Sequence, residues 1–165
     1  IPFEYEPGTN FVYNNVGPYL AGVLVQRRCG CDLVSYLTPR LFSHLGIKRP
    51  MWETDPVGNT FGAGGLFLTL SELHRFGQFY LNKGKWNGKQ LLSQEWIKES
   101  TKAQDCAHYG YLFWRGRYNS YRADGKYCQF AIVLEDQDVV ISVVAECREG
   151  KALMEAIYEE ICEKL

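Results

Sequence analysis

From position 15 to 28 the apolar residues Val16, Tyr19, Leu20, Val23 and Leu24 return every three or four positions, the spacing that lines one face of a helix. Asn14 or Asn15 can cap its start and Gly30 suits its end. A second helix is expected from Asp32 as N-cap through Leu33, Tyr36, Leu37, Leu41 and Phe42, broken at Pro39 and closed by Gly46. Residues 48–58 hold Pro50 and Pro56 and read as an irregular loop. Gly62 to Leu66 then precede a third helix, whose Thr69 and Glu72 fit a capping box ahead of Leu73, Phe76, Phe79, Tyr80 and Leu81. A polar turn over 82–87 and a short Ser93-capped helix around Trp96 and Ile97 follow.

Periodicity then changes. Tyr109 to Trp114, Gln129 to Leu134 and Val139 to Ala145 read as strands, the last two joined by a hairpin over 135–138. Phe130 to Val133 are apolar without alternation, as expected of a strand covered on both faces. A terminal helix over 151–164 offers Leu153, Ala156, Ile157 and Ile161 to the sheet. Helices, then an antiparallel meander, then a packing helix make an α+β fold. The chain divides at the change of periodicity, with a mostly helical part over 1–105 and the strands with their helix over 106–165.

Composition narrows the classes. A length of 165 residues suffices for one domain, and a formal net charge of −1 gives no electrostatic reason for a nucleic-acid partner. No apolar run is long enough to span a bilayer. Ile1 to Glu6 lack the basic start and apolar stretch of a signal peptide, an observation that lapses if the native protein begins upstream. Cys29, Cys31, Cys106, Cys128, Cys147 and Cys162 form no recognisable disulfide framework, and Cys29-Gly-Cys31 lacks the second ligand pair of a zinc site. Reduced thiols, and with them a reducing, cytoplasmic compartment, are the expectation.

Chemistry concentrates near the start. Pro7-Gly8-Thr9-Asn10-Phe11-Val12-Tyr13-Asn14-Asn15 places a turn, an apolar step and a Tyr-x-Asn triplet at the mouth of the first helix. Gly62 to Gly65 suggest a phosphate loop only superficially, because no Lys-Ser/Thr follows; a tight turn is the simpler reading. His44, His74 and His108 lack metal-ligand spacing, and His74 reads as a surface or boundary residue. Tyr109, Tyr111, Phe113 and Trp114 read mainly as core, with a substrate wall as the lesser alternative. Glu95, Glu99, Glu155, Glu159 and Glu160 read as solvated helix faces, not as a carboxylate pair.

Four stretches in order carry a resemblance. Tyr13 and Asn15 resemble the second motif of the penicillin-recognising serine hydrolases: class C β-lactamases, DD-peptidases and their esterase relatives. Gly64-Gly65-Leu66 with Thr69 and Glu72-Leu73, and then Leu91-Leu92-Ser93, are similar to two further family stretches. Ala123 to Gln129 resembles the family's lead into a core strand beside the active site. The resemblance covers essentially the whole chain and implies an acyl transfer from an amide or ester to water through an acyl-serine. It implies no cofactor and no metal, and a small-molecule or peptide substrate.

By that resemblance Tyr13 is the catalytic phenol, and a phenol acting as base near neutrality needs a neighbouring cation to lower a pKa of about 10. Asn15 offers its amide to a substrate carbonyl, and the Lys126 backbone N–H forms half of an oxyanion hole. Gly125 allows close backbone approach there, and Asp124 either contacts substrate or bonds its own backbone in the turn. Two departures stand out. Ala123-Asp124-Gly125 falls where relatives carry K-T-G or H-x-G, so the opening cation is absent, and Cys128 stands where relatives often have Gly. No Ser-x-x-Lys, the family's nucleophile motif, occurs in the sequence, since Ser35, Ser43, Ser71, Ser93, Ser100, Ser120 and Ser142 all lack the lysine. The expectation is the C-terminal portion of a partial catalytic domain, inert alone, whose exposed sheet edge favours self-association or a complementary N-terminal segment. The alternative is a non-catalytic, degenerate binding module; a thiol function through Cys29 and Cys31 is a third, weaker possibility.

Overall fold

The computed structural model describes residues 2–104 and 108–165. Cys106 and the proposed division between 105 and 106 fall outside the described residues. The chain forms two compact units: Ile1–Leu37 with Met51–Leu66, and Thr38–Pro50 with Phe67–Leu165.

In the first unit, α1 (Val16–Cys29) ends on Gly30 in the left-handed region, as its sequence suggests. Only part of its expected apolar stripe is buried, Val23 fully and Tyr19 partly. Gly22, Val23 and Gln26 are buried, whereas Val16, Leu20 and Leu24 are exposed. A small residue faces inward because the backbone comes close: a Cβ on Gly62 would lie 2.9 Å from the Pro18 carbonyl oxygen. That contact bears out a tight turn with close backbone approach at Gly62. Gln26 then holds the unit together, its Oε1 accepting from the Thr60 N–H at 3.0 Å and its Nε2 donating to the Gly22 carbonyl at 3.3 Å. The fully buried Thr60 hydroxyl accepts in turn from the Leu33 N–H at 3.3 Å. Such reciprocal pairing is what keeps buried polar groups from being costly.

Helix α2 is short (Leu33–Leu37), with the Asp32 carboxylate accepting from the Ser35 N–H at 2.8 Å. As Pro39 foretells, it does not continue as an α-helix; a π-helical turn over Thr38–Phe42 follows. The supposedly irregular 48–58 loop is more regular than expected. It contains β1 (Met51–Trp52), which lies beside Leu66, where β2 (Leu66–Phe67) begins.

The second unit is layered. Helix α3 (Leu70–Leu81) starts on the expected capping box, with the Thr69 hydroxyl accepting from the Glu72 N–H and the Glu72 carboxylate accepting from the Thr69 N–H. A short hairpin, β3 (Lys85–Trp86) with β4 (Lys89–Gln90), and α4 (Gln94–Thr101) follow; the Ser93 hydroxyl caps α4. The main sheet runs β5 (Trp114–Arg115), β6 (Tyr121–Gly125), β7 (Gln129–Leu134) and β8 (Val139–Val143), all antiparallel neighbours. Within β7, Phe130, Ile132 and Leu134 pack with Met154, Ile157, Tyr158 and Cys162 of the C-terminal segment, while Ala131 lies near Gly77 of α3. Both faces are therefore covered, which explains the unbroken apolar run.

Two details differ from expectation. Tyr109 to Phe113 is not a strand: the Gly110 N–H donates to the Phe113 carbonyl at 2.7 Å and Leu112 has φ 69°, so the segment doubles back before β5. Tyr111 is accordingly exposed, while Phe113 is buried. Helix α5 (Gly150–Glu160) buries Met154, Ile157 and Tyr158 rather than Ala156, and Ile161 is exposed.

Candidate functional site

The Tyr-x-Asn triplet stands on a turn built by its neighbours. Pro7-Gly8 opens a turn in which the Thr9 N–H and hydroxyl donate to the Glu6 carbonyl at 3.1 and 2.7 Å. Gly8 takes φ 85°, the conformation a type II turn requires of its third residue. Asn14 then clamps the chain, its Nδ2 donating to the Val12 carbonyl at 2.9 Å and its Oδ1 accepting from the Gly17 N–H at 2.9 Å. Because Asn14 caps the helix, Asn15 makes no side-chain capping bond although it occupies the N-cap position. Asn15 and Tyr13 are both exposed, Tyr13 at 54% of its surface.

In the second unit, the third-motif stretch lies at the end of β6. Ala123 pairs with Ala131, Asp124 with Phe130 and Gly125 with Gln129, and residues 126–128 close the hairpin. Lys126 begins that turn; its Nζ lies 4.9 Å from the centre of the Tyr127 ring. Tyr127 and Cys128 have φ 62° and 70°, left-handed values that non-glycine residues adopt at a cost. Asp124 does not bond its own backbone as turn chemistry suggests. Its carboxylate accepts from Arg122 Nε at 2.8 Å, since residues two apart on a strand share a face.

Other polar clusters escaped the sequence reading. In the first unit the Tyr19 hydroxyl donates to Asp55 Oδ2 at 2.6 Å, and Asn59 Nδ2 donates to the same oxygen at 2.7 Å. The Tyr19 bond, followed by Asn59, holds the Asp55 carboxyl down from 3.8 to about 2, and the same partnership raises the Tyr19 phenol. In the second unit, His74 is half-buried and its Nδ1 lies 3.0 Å from Ser142 Oγ. The pair borders a cavity of about 530 Å³ with Leu70, Ser71, Arg75 and Val140. A larger cleft of about 740 Å³ gathers Lys83, Lys98, Lys102 and Arg115 against Glu95 and Glu135. Only the spacing of His74 and Arg75 on one helix signalled the former, and nothing in the sequence joined them to Ser142.

The beta-lactamase family model matches residues 1–161. The chain belongs to the beta-lactamase family. Solved structures agree in fold. A Bacillus anthracis protein described as a 6-aminohexanoate-dimer hydrolase superposes with TM-score 0.86 at 24% identity, over 98% of this chain and 46% of that one. A Bacteroides dorei protein described as a beta-lactamase gives 0.76 at 16% identity, over 96% and 60%. A beta-lactamase from Mycobacterium bovis gives 0.74 at 20% identity, over 94% and 66%. This beta-lactamase-family chain thus spans between about half and two thirds of the length of these relatives. No curated protein matches it by sequence.

Proposed function

We propose that this chain is a non-catalytic, degenerate binding module of the beta-lactamase family, which recognises an amide or ester carbonyl without cleaving it. One observation carries the reading: the exposed Tyr13 and Asn15 pair is retained in a sequence that has Ala123 where the family it resembles places a cation. Asn15, released from capping by Asn14, offers its carboxamide to a carbonyl or an N–H of the bound molecule. Tyr13 contributes a hydroxyl and a ring face. In the second unit, taken by itself, the Lys126 backbone N–H is a proposed donor to a carbonyl oxygen, with Gly125 permitting close approach. Asp124 then acts on substrate only through, or in exchange for, its pair with Arg122. Equilibrium dialysis against a fluorescent penicillin and a small peptide amide tests this. Saturable binding weakened about tenfold by Asn15→Ala, the value of a lost hydrogen bond of roughly 1.4 kcal/mol, is expected. No saturable binding of either compound, or binding indifferent to that change, contradicts it.

A second reading has its own support in the comparisons. In this reading the chain, which spans 46% of the length of the Bacillus anthracis protein, would be the C-terminal portion of a serine hydrolase whose nucleophile comes from outside these residues. Tyr13 would then help activate that serine and the Lys126 N–H would serve as half of the oxyanion hole. Phosphonylation of an N-terminally extended chain by a serine-reactive phosphonate, abolished by Tyr13→Phe, would favour this reading over the first.

A further inference from the structure

Cys128 and Cys147 lie 19 positions apart in sequence and meet beside the hairpin that closes β6 and β7. The Cys128 thiol donates to the Cys147 carbonyl at 3.3 Å, and the Cys147 N–H donates to the Tyr127 carbonyl at 3.2 Å. The chain leaving β8 therefore returns alongside the 126–128 turn and delivers one cysteine to the other. Backbone geometry enforces the meeting: with φ 70° at Cys128 the side chain enters the core under α5, where a Cβ on Gly150 would lie 3.4 Å from its Sγ. The two thiols differ in access. Cys128 is 3% exposed, whereas Cys147 is half-buried and reachable from solvent. Burial raises the Cys128 thiol first, and the neighbouring Cys147 adds to it. Cys128 is thus the protected partner and Cys147 the accessible one. All five cysteines among the described residues are free thiols, and Cys29 and Cys31 belong to the other unit.

We infer that Cys128 and Cys147 form an oxidisable dithiol, a modification site at which a hydroperoxide converts the pair to an intramolecular disulfide. The Cys147 sulfur attacks the peroxide, the O–O bond breaks, and the sulfur becomes a sulfenic acid as one water leaves. The Cys128 sulfur then attacks that sulfenic sulfur, the S–O bond breaks, and a second water leaves as the S–S bond forms. Two thiols lose two electrons and two protons, and one hydrogen peroxide becomes two waters. The cross-link ties the β6–β7 turn to the segment entering α5, closing a loop of about 20 residues and raising the unfolding midpoint by roughly 5–10 °C. This inference is independent of the binding reading above.

The test is direct because no Lys or Arg lies between Tyr127 and Glu146, so one tryptic peptide, 127–148, carries both cysteines. The purified chain is treated with hydrogen peroxide, alkylated with iodoacetamide after denaturation, and digested without reductant. Peptide 127–148 is expected to lose about 2 Da, to take up no alkyl group, and to recover two alkylation sites after reduction. In Cys147→Ser, Cys128 is expected to remain a thiol that alkylates only once the chain is unfolded. Two alkyl groups on the wild-type peptide after peroxide, a sulfinic acid at Cys147, or a link from Cys128 to Cys162 or to a second chain would each overturn the inference.

Discussion

At the scale of single residues, conformational cost and hydrogen-bond satisfaction separate neighbours that look alike in sequence. Tyr127 is exposed and held at φ 62°, so Tyr127→Gly should stabilise the chain by about 1 kcal/mol, read as a higher urea midpoint at unchanged slope. Tyr80 and Tyr121 are both buried, and burial raises both phenols, Tyr80 to about 12. Their hydroxyls differ: Ser100 offsets part of the rise at Tyr80, whereas the Tyr121 hydroxyl has no partner among the described residues. Tyr80→Phe should therefore cost about 1 kcal/mol, and Tyr121→Phe should be neutral or stabilising by up to about 1 kcal/mol. Chemical unfolding of the two variants checks the contrast; equal losses would contradict it. None of this was legible in the sequence, because a Tyr announces its propensity for strand or core but not whether its oxygen finds a partner.

At the scale of elements, local signals with a mechanism were readable and those needing tertiary context were not. The capping box at Thr69 and Glu72 was legible because both partners lie within one turn of sequence; Thr69→Ala should cost about 1 kcal/mol. The 109–113 segment misled because its aromatic spacing imitates a strand. What bends it is the close approach at Gly110, where a Cβ would fall 2.8 Å from the Lys102 carbonyl oxygen. The polar turn expected over 82–87 instead contains β3, and Asn87-Gly88, with left-handed angles of 46° and 81°, forms the type I′ turn of the β3–β4 hairpin, a local signal that the expectation passed over. Gly77 is a packing contact that no periodicity reveals. Its Cβ would come within 2.7 Å of Val140 Cγ1, so Gly77→Ala should lose more by crowding β8 than it gains in helix propensity. A net destabilisation of about 1 kcal/mol is expected by thermal unfolding.

At the scale of the whole molecule, the α+β order and the four motif stretches were legible because each is contiguous in sequence. The Asn14 clamp that leaves Asn15 uncommitted, the Asp124–Arg122 pair and the His74–Ser142 contact were not, since they depend on backbone geometry or on partners far away in sequence. The exposed stripe of Val16, Leu20 and Leu24, with Leu24 at 67%, predicts concentration-dependent mass in sedimentation and hydrophobic-dye binding. A clean monomer without dye binding would speak against it. Protonation adds an acid limit. The folded Asp55 carboxyl sits at about 2 against an unfolded 3.8, so its contribution is present above about pH 4 and is lost as pH falls toward 2. The raised Tyr19 phenol acts oppositely, favouring the folded state until pH climbs past the ordinary tyrosine range. Asp55→Asn should flatten the acid limb of a stability–pH profile. The central claim, recognition of an acyl group without attack on it, is tested most directly by the intact mass of this chain after prolonged incubation with a fluorescent penicillin that it binds. The account predicts reversible, saturable fluorescence with the mass unchanged; an added penicilloyl mass on any of its serines would contradict it.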